Sequence, residues 1–171
     1  MRLKVLWIGK TRSPSIKALT ADYLERIRRM TSCEILEIRD PARGRTQRVI
    51  ERTKLEGEDI ARRLPKAAFV VALDEAGRQY SSEEFARRLE SEQNNGTKEI
   101  TFIVGGPDGL SRDTTALARM VLSLGKMTWT HEMCRALLLE QIYRALCILN
   151  KIPYHRGSLP TPGGEISINE R

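Results

Sequence analysis

The 171-residue sequence predicts one α/β domain, with a largely parallel β-sheet and helices on both faces. Three observations lead to this prediction. Short apolar runs alternate with segments whose apolar residues recur every three or four positions, as in strands joined by crossover helices. One run, Phe69 to Leu73, is continuously apolar and bounded by charge, which is typical of a central strand covered on both faces. The length and the 40% share of hydrophobic residues suit a single core.

The first half of the chain predicts two strands and two helices. Residues 3–8 form an apolar strand, and Pro14 follows at a position that a first helical turn tolerates. Helical spacing of apolar residues then predicts a helix over residues 14–29, with its apolar face on the sheet. Residues 33–39 alternate imperfectly and predict a second strand. A helix over residues 46–64 follows.

The second half predicts three strands and three helices. The strands are predicted over 69–73, over 100–104 and, interrupted at Gly125, over 121–124 and 127–129. The helices are predicted over 82–93, 111–119 and 132–150. Ser81, followed three residues later by Glu84, is a capping-box signature for the helix over 82–93. The last helix is apolar almost all round, which indicates burial on more than one side. A symmetric homodimer and simple depth in the core both explain that burial.

Several classes of protein are disfavoured by the sequence. No segment approaches the roughly 20 apolar residues of a membrane span, and the N-terminal apolar run is too short for a signal peptide. We therefore expect a cytoplasmic protein with no membrane partner. Cys33, Cys134 and Cys147 form no C-x-x-C pair and are expected to be reduced thiols. With only two histidines in addition, we expect no catalytic metal.

The net charge of +7 is unevenly divided along the chain. Residues 1–54 carry 14 Lys or Arg against 6 Asp or Glu, whereas the remainder is close to neutral. The densest stretch contains Arg43, Arg45 and Arg48. A basic stripe attracts polyanions because binding releases counterions from phosphates, so nucleic acid is a natural partner. A solvated surface without a ligand explains the charge equally well.

A glycine-rich segment, Gly105-Gly106-Pro107-Asp108-Gly109, lies between a predicted strand and a predicted helix. Open α/β sheets bind ligands at this position, and glycines permit close backbone approach to a flat or charged group. The segment matches neither the P-loop nor the dinucleotide-binding fingerprint. A tight turn that demands positive φ explains one or two of the three glycines, but not easily all of them. The sequence thus predicts a ligand site here.

An ordered set of segments runs through the chain: Leu73-Asp74, residues 105–111, residues 122–128, His131, Arg135, Tyr143-Arg144-Ala145 and Tyr154-His155-Arg156. With this set, the sequence resembles the ribosomal RNA large subunit methyltransferase H (RlmH) family of SPOUT-class methyltransferases. The resemblance covers nearly the whole chain up to Arg156.

The resemblance implies properties that composition and periodicity do not reveal. The domain over residues 1–156 would carry a C-terminal trefoil knot, work as a homodimer and bind S-adenosylmethionine. It would methylate N3 of a pseudouridine in the helix 69 loop of 23S ribosomal RNA on assembled ribosomes, and would not act on DNA. By position, the cofactor-binding residues would be Leu73, Gly105, Leu124, Gly125, Lys126, Met127, Thr128 and Trp129. Residues 157–171, rich in turn-formers, are expected to be a flexible tail.

The residues also suggest a division of catalytic labour. Tyr154, His155 and Arg156 match the motif that completes the active site. We expect His155 to assist loss of the N3 proton, and Arg156 or Arg135 to stabilise the charge that develops on the ring. Asp74, His131 and bulk water are the alternatives to His155 as the base. Arg43, Arg45 and Arg48 would contact RNA phosphates. A non-catalytic ribosome-associated RNA-binding protein and a nucleotide hydrolase are the alternative functions.

Overall fold

A computed structural model describes residues 1–41, 44, 46 and 48–154. In chain order, its elements are β1 (Arg2–Ile8), α1 (Pro14–Arg28), β2 (Cys33–Ile38), α2 (Val49–Arg63), β3 (Phe69–Arg78), α3 (Ser82–Asn94), β4 (Glu99–Val104), α4 (Arg112–Thr115), β5 (Met120–Leu122) and α5 (His131–Leu149). No helix in these ranges is long and apolar enough to cross a membrane.

The five strands form one sheet in the order β2-β1-β4-β3-β5, and every pairing is parallel. The register places Leu3 beside Cys33 on one side and beside Ile100 on the other. Because all strands run the same way, their carboxyl ends meet at one edge of the sheet. The predicted α/β class and parallel sheet are confirmed, while the trefoil knot stays a prediction.

Two hydrophobic layers cover the two faces of the sheet. On one face, α1, α3 and α5 pack against inward-facing residues such as Leu3, Val5 and Phe102. On the other, α2 packs against Leu6 and Ile103 through residues such as Ile60. Each strand therefore has apolar residues pointing both ways, as the continuous run in β3 predicted.

Helix α5 is apolar all round mainly because it lies deep in the core. It packs against both α1 and α3, and seven apolar side chains along it are buried. Burial within one chain thus accounts for most of its composition. The homodimer stays a prediction that this helix does not require.

Three predicted elements differ from the structure by four or more residues at one end. Strand β3 continues five residues past Leu73, and it pairs with β5 again at Arg78 after a register shift. Helix α4 is a single turn. The Arg119 N–H donates a hydrogen bond to the Val70 carbonyl at 2.9 Å, so the segment that was predicted to be helical has already reached the sheet. Strand β5 ends at Leu122, so the predicted strand over 127–129 is wrong and those residues belong to a loop.

Candidate functional site

A cavity of about 440 Å³ opens where β4 and β5 end, beside the middle of β3. Its wall is built from these three strands, the loops that follow β4 and β5, and the first turn of α5. The lining residues are 73–75, 104–110, 122–125, 127–129, His131 and Cys134. The volume lies in the range of roughly 300–1,000 Å³ typical of small-molecule sites. The position is the one that open α/β sheets use for ligands.

The glycine loop, residues 105–109, forms one wall as a tight turn. The Gly109 N–H donates to the Gly106 carbonyl at 3.1 Å, and Gly109 has a φ of +77°. A side chain at Gly105 would come within 2.5 Å of the Gly109 carbonyl, and one at Gly106 within 2.9 Å of the Glu56 carboxylate. All three glycines therefore have a reason inside the fold. As expected, a turn with positive φ explains only part of the set, because Gly109 alone has that conformation and close contacts explain the other two. The ligand site therefore rests on the cavity.

A second wall is the loop between β5 and α5, residues 123–130. The Ser123 hydroxyl donates a hydrogen bond to the Gly125 carbonyl at 2.9 Å. The Gly125 N–H in turn donates to Ser123 Oγ at 3.3 Å. Thr128 Oγ1 donates to Glu75 Oε2 at 3.1 Å, which ties this loop to the end of β3. Met127 and Trp129 are 77% and 42% exposed, so their apolar surface is available at the cavity.

The extension of β3 explains how these two walls meet. A Cβ atom at Gly77 would lie 2.7 Å from the Leu122 backbone, so only glycine lets the strand pass this close to β5. The Ser123 N–H then donates to the Arg78 carbonyl at 3.0 Å. Asp74 Oδ1 accepts the Ala76 N–H at 2.9 Å at the turn. This segment therefore brings the Asp74 and Glu75 carboxylates to the cavity.

Helix α5 begins at the cavity floor with His131. The Thr130 hydroxyl caps the helix by accepting the Met133 N–H. Burial lowers the pKa of His131 below its ordinary value, and the nearby Arg135 guanidinium lowers it further. The imidazole is therefore neutral at pH 7, the form that can accept a proton.

Three carboxylates line the cavity and no lysine or arginine joins them among its described lining residues. They belong to Asp74, Glu75 and Asp108, and Asp108 is paired with Arg52 at 3.1 Å. The remaining negative charge favours a cationic ligand and disfavours a phosphate.

The family described as Predicted SPOUT methyltransferase matches residues 1–155. The chain belongs to the SPOUT methyltransferase family. Its relatives include proteins named ribosomal RNA large subunit methyltransferase H. The one from Geotalea daltonii is 44% identical over 155 residues, covering 91% of this chain and 99% of that protein. The one from Beijerinckia indica is 41% identical over 159 residues, with the same coverage. The resemblance found in the sequence is thereby confirmed.

Solved structures agree on the fold of this SPOUT methyltransferase. The tRNA (m1G37) methyltransferase from Aquifex aeolicus has a TM-score of 0.55 at 15% identity, covering 100% of this chain and 79% of that one. A probable methylase family protein from Haemophilus influenzae has a TM-score of 0.53 at 12% identity, covering 93% and 72%. At such identities the likeness concerns the fold alone.

As a SPOUT methyltransferase, the protein uses S-adenosylmethionine. The carboxylates that line the cavity suit this cofactor, because it carries a sulfonium cation. Of the predicted cofactor residues, Leu73, Gly105, Leu124, Gly125, Met127, Thr128 and Trp129 line the cavity. Lys126 does not line it, and its side chain is exposed. Binding through any of these residues remains a prediction. Sequence reasoning left out Glu75, Ser123 and Cys134, which only the tertiary structure brings there.

Two of the predicted catalytic residues, Arg135 and Tyr154, belong to the described part of this SPOUT methyltransferase, and neither lines the cavity. Arg135 is 0% exposed, and its guanidinium donates to the Ile8 carbonyl at 2.6 Å and to Thr11 Oγ1 at 2.8 Å. It also lies 5.1 Å from the Trp7 ring centre. Direct contact with a substrate would require Arg135 to leave these partners. The geometry instead gives it the task of holding the end of β1.

Tyr154 packs beside α1 and α5 and is not among the cavity residues. Its hydroxyl lies 3.3 Å from the Tyr23 hydroxyl, and its ring packs edge-on against Tyr143. Burial and the hydrogen bond with Tyr23 raise the pKa of its phenol, so it is protonated at neutral pH. His155, Arg156 and residues 157–171 lie outside the described residues, as do Arg43 and Arg45. Arg48 is the exposed residue before α2 and pairs with Glu51 at 3.1 Å.

Proposed function

We propose that this methyltransferase transfers a methyl group from S-adenosylmethionine to ribosomal RNA of the large subunit. The target in this proposal is N3 of a pseudouridine in the helix 69 loop, on assembled ribosomes in the cytoplasm. Its support is the 44% identity to a ribosomal RNA large subunit methyltransferase H along 99% of that protein. The observation that carries it is the carboxylate-lined cavity at the strand ends.

The same observation weighs against a nucleotide hydrolase. A triphosphate needs cations or a cradle of backbone N–H groups, which the P-loop supplies in hydrolases of this architecture. The described lining of the cavity contains the carboxylates of Asp74, Glu75 and Asp108, and it contains no lysine or arginine. Arg52, which lies outside that lining, is paired with Asp108 at 3.1 Å. A cationic sulfonium is the better match.

Bound S-adenosylmethionine supplies an electrophilic methyl group, so the protein's own task is to place and activate the nucleophile. Positioning supplies much of the rate, because the attacking nitrogen has to be in line with the breaking bond. N3 of pseudouridine is a weak nucleophile while it keeps its proton. In the proposal, the His155 imidazole takes that proton, and Arg156 stabilises the negative charge on the ring oxygens.

His131 is the second candidate for the base. It lines the cavity and its lowered pKa keeps the imidazole neutral at pH 7. Asp74 lines the same cavity, and its Oδ1 already accepts a backbone N–H. Arg135 acts in this proposal as a positioning residue, because its guanidinium binds the carboxyl end of β1.

We further propose that two copies of the chain form each active site. Within one chain, Tyr154 contacts Tyr23 and Tyr143 and stands outside the cavity lining. The segment that follows it would complete the cavity of a second copy. A homodimer would then be needed to complete the active site, although it is not needed to cover the apolar surface of α5.

The basic first third of the chain would hold RNA phosphates and set the register without reading sequence. Arg48 supports this assignment, because its side chain is 82% exposed at the start of α2. Arg43 and Arg45 belong to the same proposed contact.

Calorimetry and mass spectrometry test the proposal in two stages. Saturable binding of S-adenosylmethionine and S-adenosylhomocysteine is expected, and binding of ATP alone would instead favour the hydrolase. Purified protein should then add one methyl group to large-subunit RNA in assembled ribosomes, mapped to one pseudouridine by mass spectrometry. RNA binding with neither cofactor binding nor methylation would indicate a non-catalytic RNA-binding protein.

A further inference from the structure

Glu56 is a buried carboxyl group directly behind the glycine loop. It lies on α2, is only 2% exposed, and neither of its oxygens has a hydrogen-bond partner of normal geometry among the described residues. A Cβ atom at Gly106 would lie 2.9 Å from Oε1 and 3.1 Å from Oε2. Buried polar atoms without partners are rare, so this one requires an explanation.

The face of α2 that carries Glu56 is built around the same loop. One turn earlier on the helix, Arg52 pairs with Asp108 of the loop at 3.1 Å. Gly57, which follows Glu56 on the helix, packs so closely on Thr114 that a side chain at position 57 would overlap Thr114. Ser111, which caps α4 directly after the loop, lies beside the same glycine. Helix α2 thus contacts the glycine loop and the turn that follows it, with the Glu56 carboxyl at the centre.

The charges around Glu56 favour its neutral form. Burial is the main cause that raises its pKa to about 7, and the negative charge of Asp40 adds to it. Asp108 acts in the same direction, whereas the Gly106 N–H and Arg52 favour the ionised form. These groups come from the end of β2, from the glycine loop and from α2 itself.

We propose that Glu56 is a positioning residue, which holds the glycine loop in the shape that lines the cofactor cavity. It acts on the cofactor only through the Gly106 backbone, because Glu56 is not among the cavity residues. The neutral carboxyl fits behind Gly106, whereas an ionised carboxylate would repel Asp108 of the same loop and displace the loop. The inference rests on the proposed function, since it assumes that the cavity binds S-adenosylmethionine.

Binding of S-adenosylhomocysteine, measured by calorimetry, tests this role without any turnover. Glu56→Ala removes the support behind Gly106 and should weaken binding by about tenfold, the effect of one lost interaction. Glu56→Gln keeps the shape and neutrality and should bind like wild type at pH 6, where Glu56 is mostly protonated. The matched control is Glu58→Ala, because Glu58 lies two residues away on the same helix with an exposed side chain.

The pH profile separates positioning from a general packing effect. Wild-type affinity should fall severalfold between pH 6.5 and 8, as Glu56 ionises, and the Glu56→Gln profile should be flat. Superimposable profiles, or a Glu56→Ala affinity within twofold of wild type, would overturn the inference. If Glu56→Ala does not fold, the comparison of wild type with Glu56→Gln decides alone. If wild type and Glu58→Ala both fail to bind S-adenosylhomocysteine, the proposed function is the part that fails.

Discussion

Arg135 Nη2 donates a hydrogen bond to the Ile8 carbonyl at 2.6 Å, which joins the first turn of α5 to the end of β1. The adjacent Glu132 carboxylate accepts the backbone N–H groups of Arg12 and Ser13 at 2.8 and 3.0 Å. The loop after the first strand is therefore fixed by α5. Arg135, which the sequence suggested for catalysis, and Glu132 together hold the fold around the cavity.

Replacement of Arg135 by alanine should destabilise the protein by about 3 kcal/mol. The change leaves a void in the core and removes the donors to Ile8 and Thr11, and buried carbonyls without donors are costly. Urea denaturation measures the loss. Arg29→Ala is the control, because Arg29 forms only an exposed pair with Glu25 and should change stability by less than about 1 kcal/mol. Equal effects of the two changes would contradict the structural role of Arg135.

Glu56 should make the protein less stable as the pH rises from 4.5 to 8. Its pKa is about 7 in the folded protein against an ordinary value of 4.5. Between these values the folded state binds more protons than the unfolded state, so the free energy of unfolding falls with rising pH. The full shift corresponds to about 3 kcal/mol as an upper limit.

Unfolding free energies of wild type and Glu56→Gln, measured by denaturant titration at several pH values, check this sign. The difference between the two proteins should change steadily across that window, in favour of Glu56→Gln at high pH. Glu58→Gln should run parallel to wild type, because Glu58 is exposed. A constant difference between wild type and Glu56→Gln would show that Glu56 does not titrate there.

Glu75 should contribute to the choice of a cationic ligand. It lines the cavity beside Thr128, and S-adenosylmethionine carries one more positive charge than S-adenosylhomocysteine. Glu75→Gln keeps the shape while removing the charge. Because Glu75 is partly exposed to solvent, the expected loss of affinity is modest. It should be about two- to fivefold for S-adenosylmethionine and smaller for S-adenosylhomocysteine. Calorimetry with both ligands gives the ratio, and an unchanged ratio would argue against electrostatic selection.

The sequence predicted the elements whose patterns are local and missed those decided by distant contacts. The helix over 14–29 and the Ser81 capping box are confirmed, because spacing and cap chemistry lie within one segment. The extension of β3 was missed because residues 74–78 have little strand propensity. Pairing with β5 and the close approach at Gly77 keep them extended.

The site was predicted to a similar degree. The family resemblance assigned Leu73, Gly105 and Leu124 to the cofactor site by position, and all three line the cavity. The burial of Arg135 and Glu56 could not be foreseen. Both are charged residues on helices, and only the packing of α5 on β1 and of α2 on the glycine loop encloses them.

The two histidines should differ sharply in a single-turnover assay of methyl transfer. If His155 takes the N3 proton, His155→Ala should lower the rate by about 100-fold or more, as for loss of a general base. His131→Ala should mainly weaken cofactor binding, because His131 lines the cavity. Rates measured from pH 5 to 9 distinguish the roles, since loss of the base removes the acid limb of the profile. If His131→Ala lost the acid limb and about 100-fold in rate while His155→Ala did not, His131 would be the base that takes the N3 proton.

RNA binding should depend on salt through the basic segment before α2. Replacement of Arg43, Arg45 and Arg48 by alanine removes up to three phosphate contacts, which lowers the slope of log affinity against log salt by roughly 2 to 3. Binding of S-adenosylhomocysteine should not change, because the described member, Arg48, is absent from the cavity lining. Replacement of Lys66, Arg87 and Arg112 removes the same charge elsewhere and serves as the control. If both triple variants reduce the slope equally, the RNA is attracted by net charge, and the segment before α2 has no special part in binding.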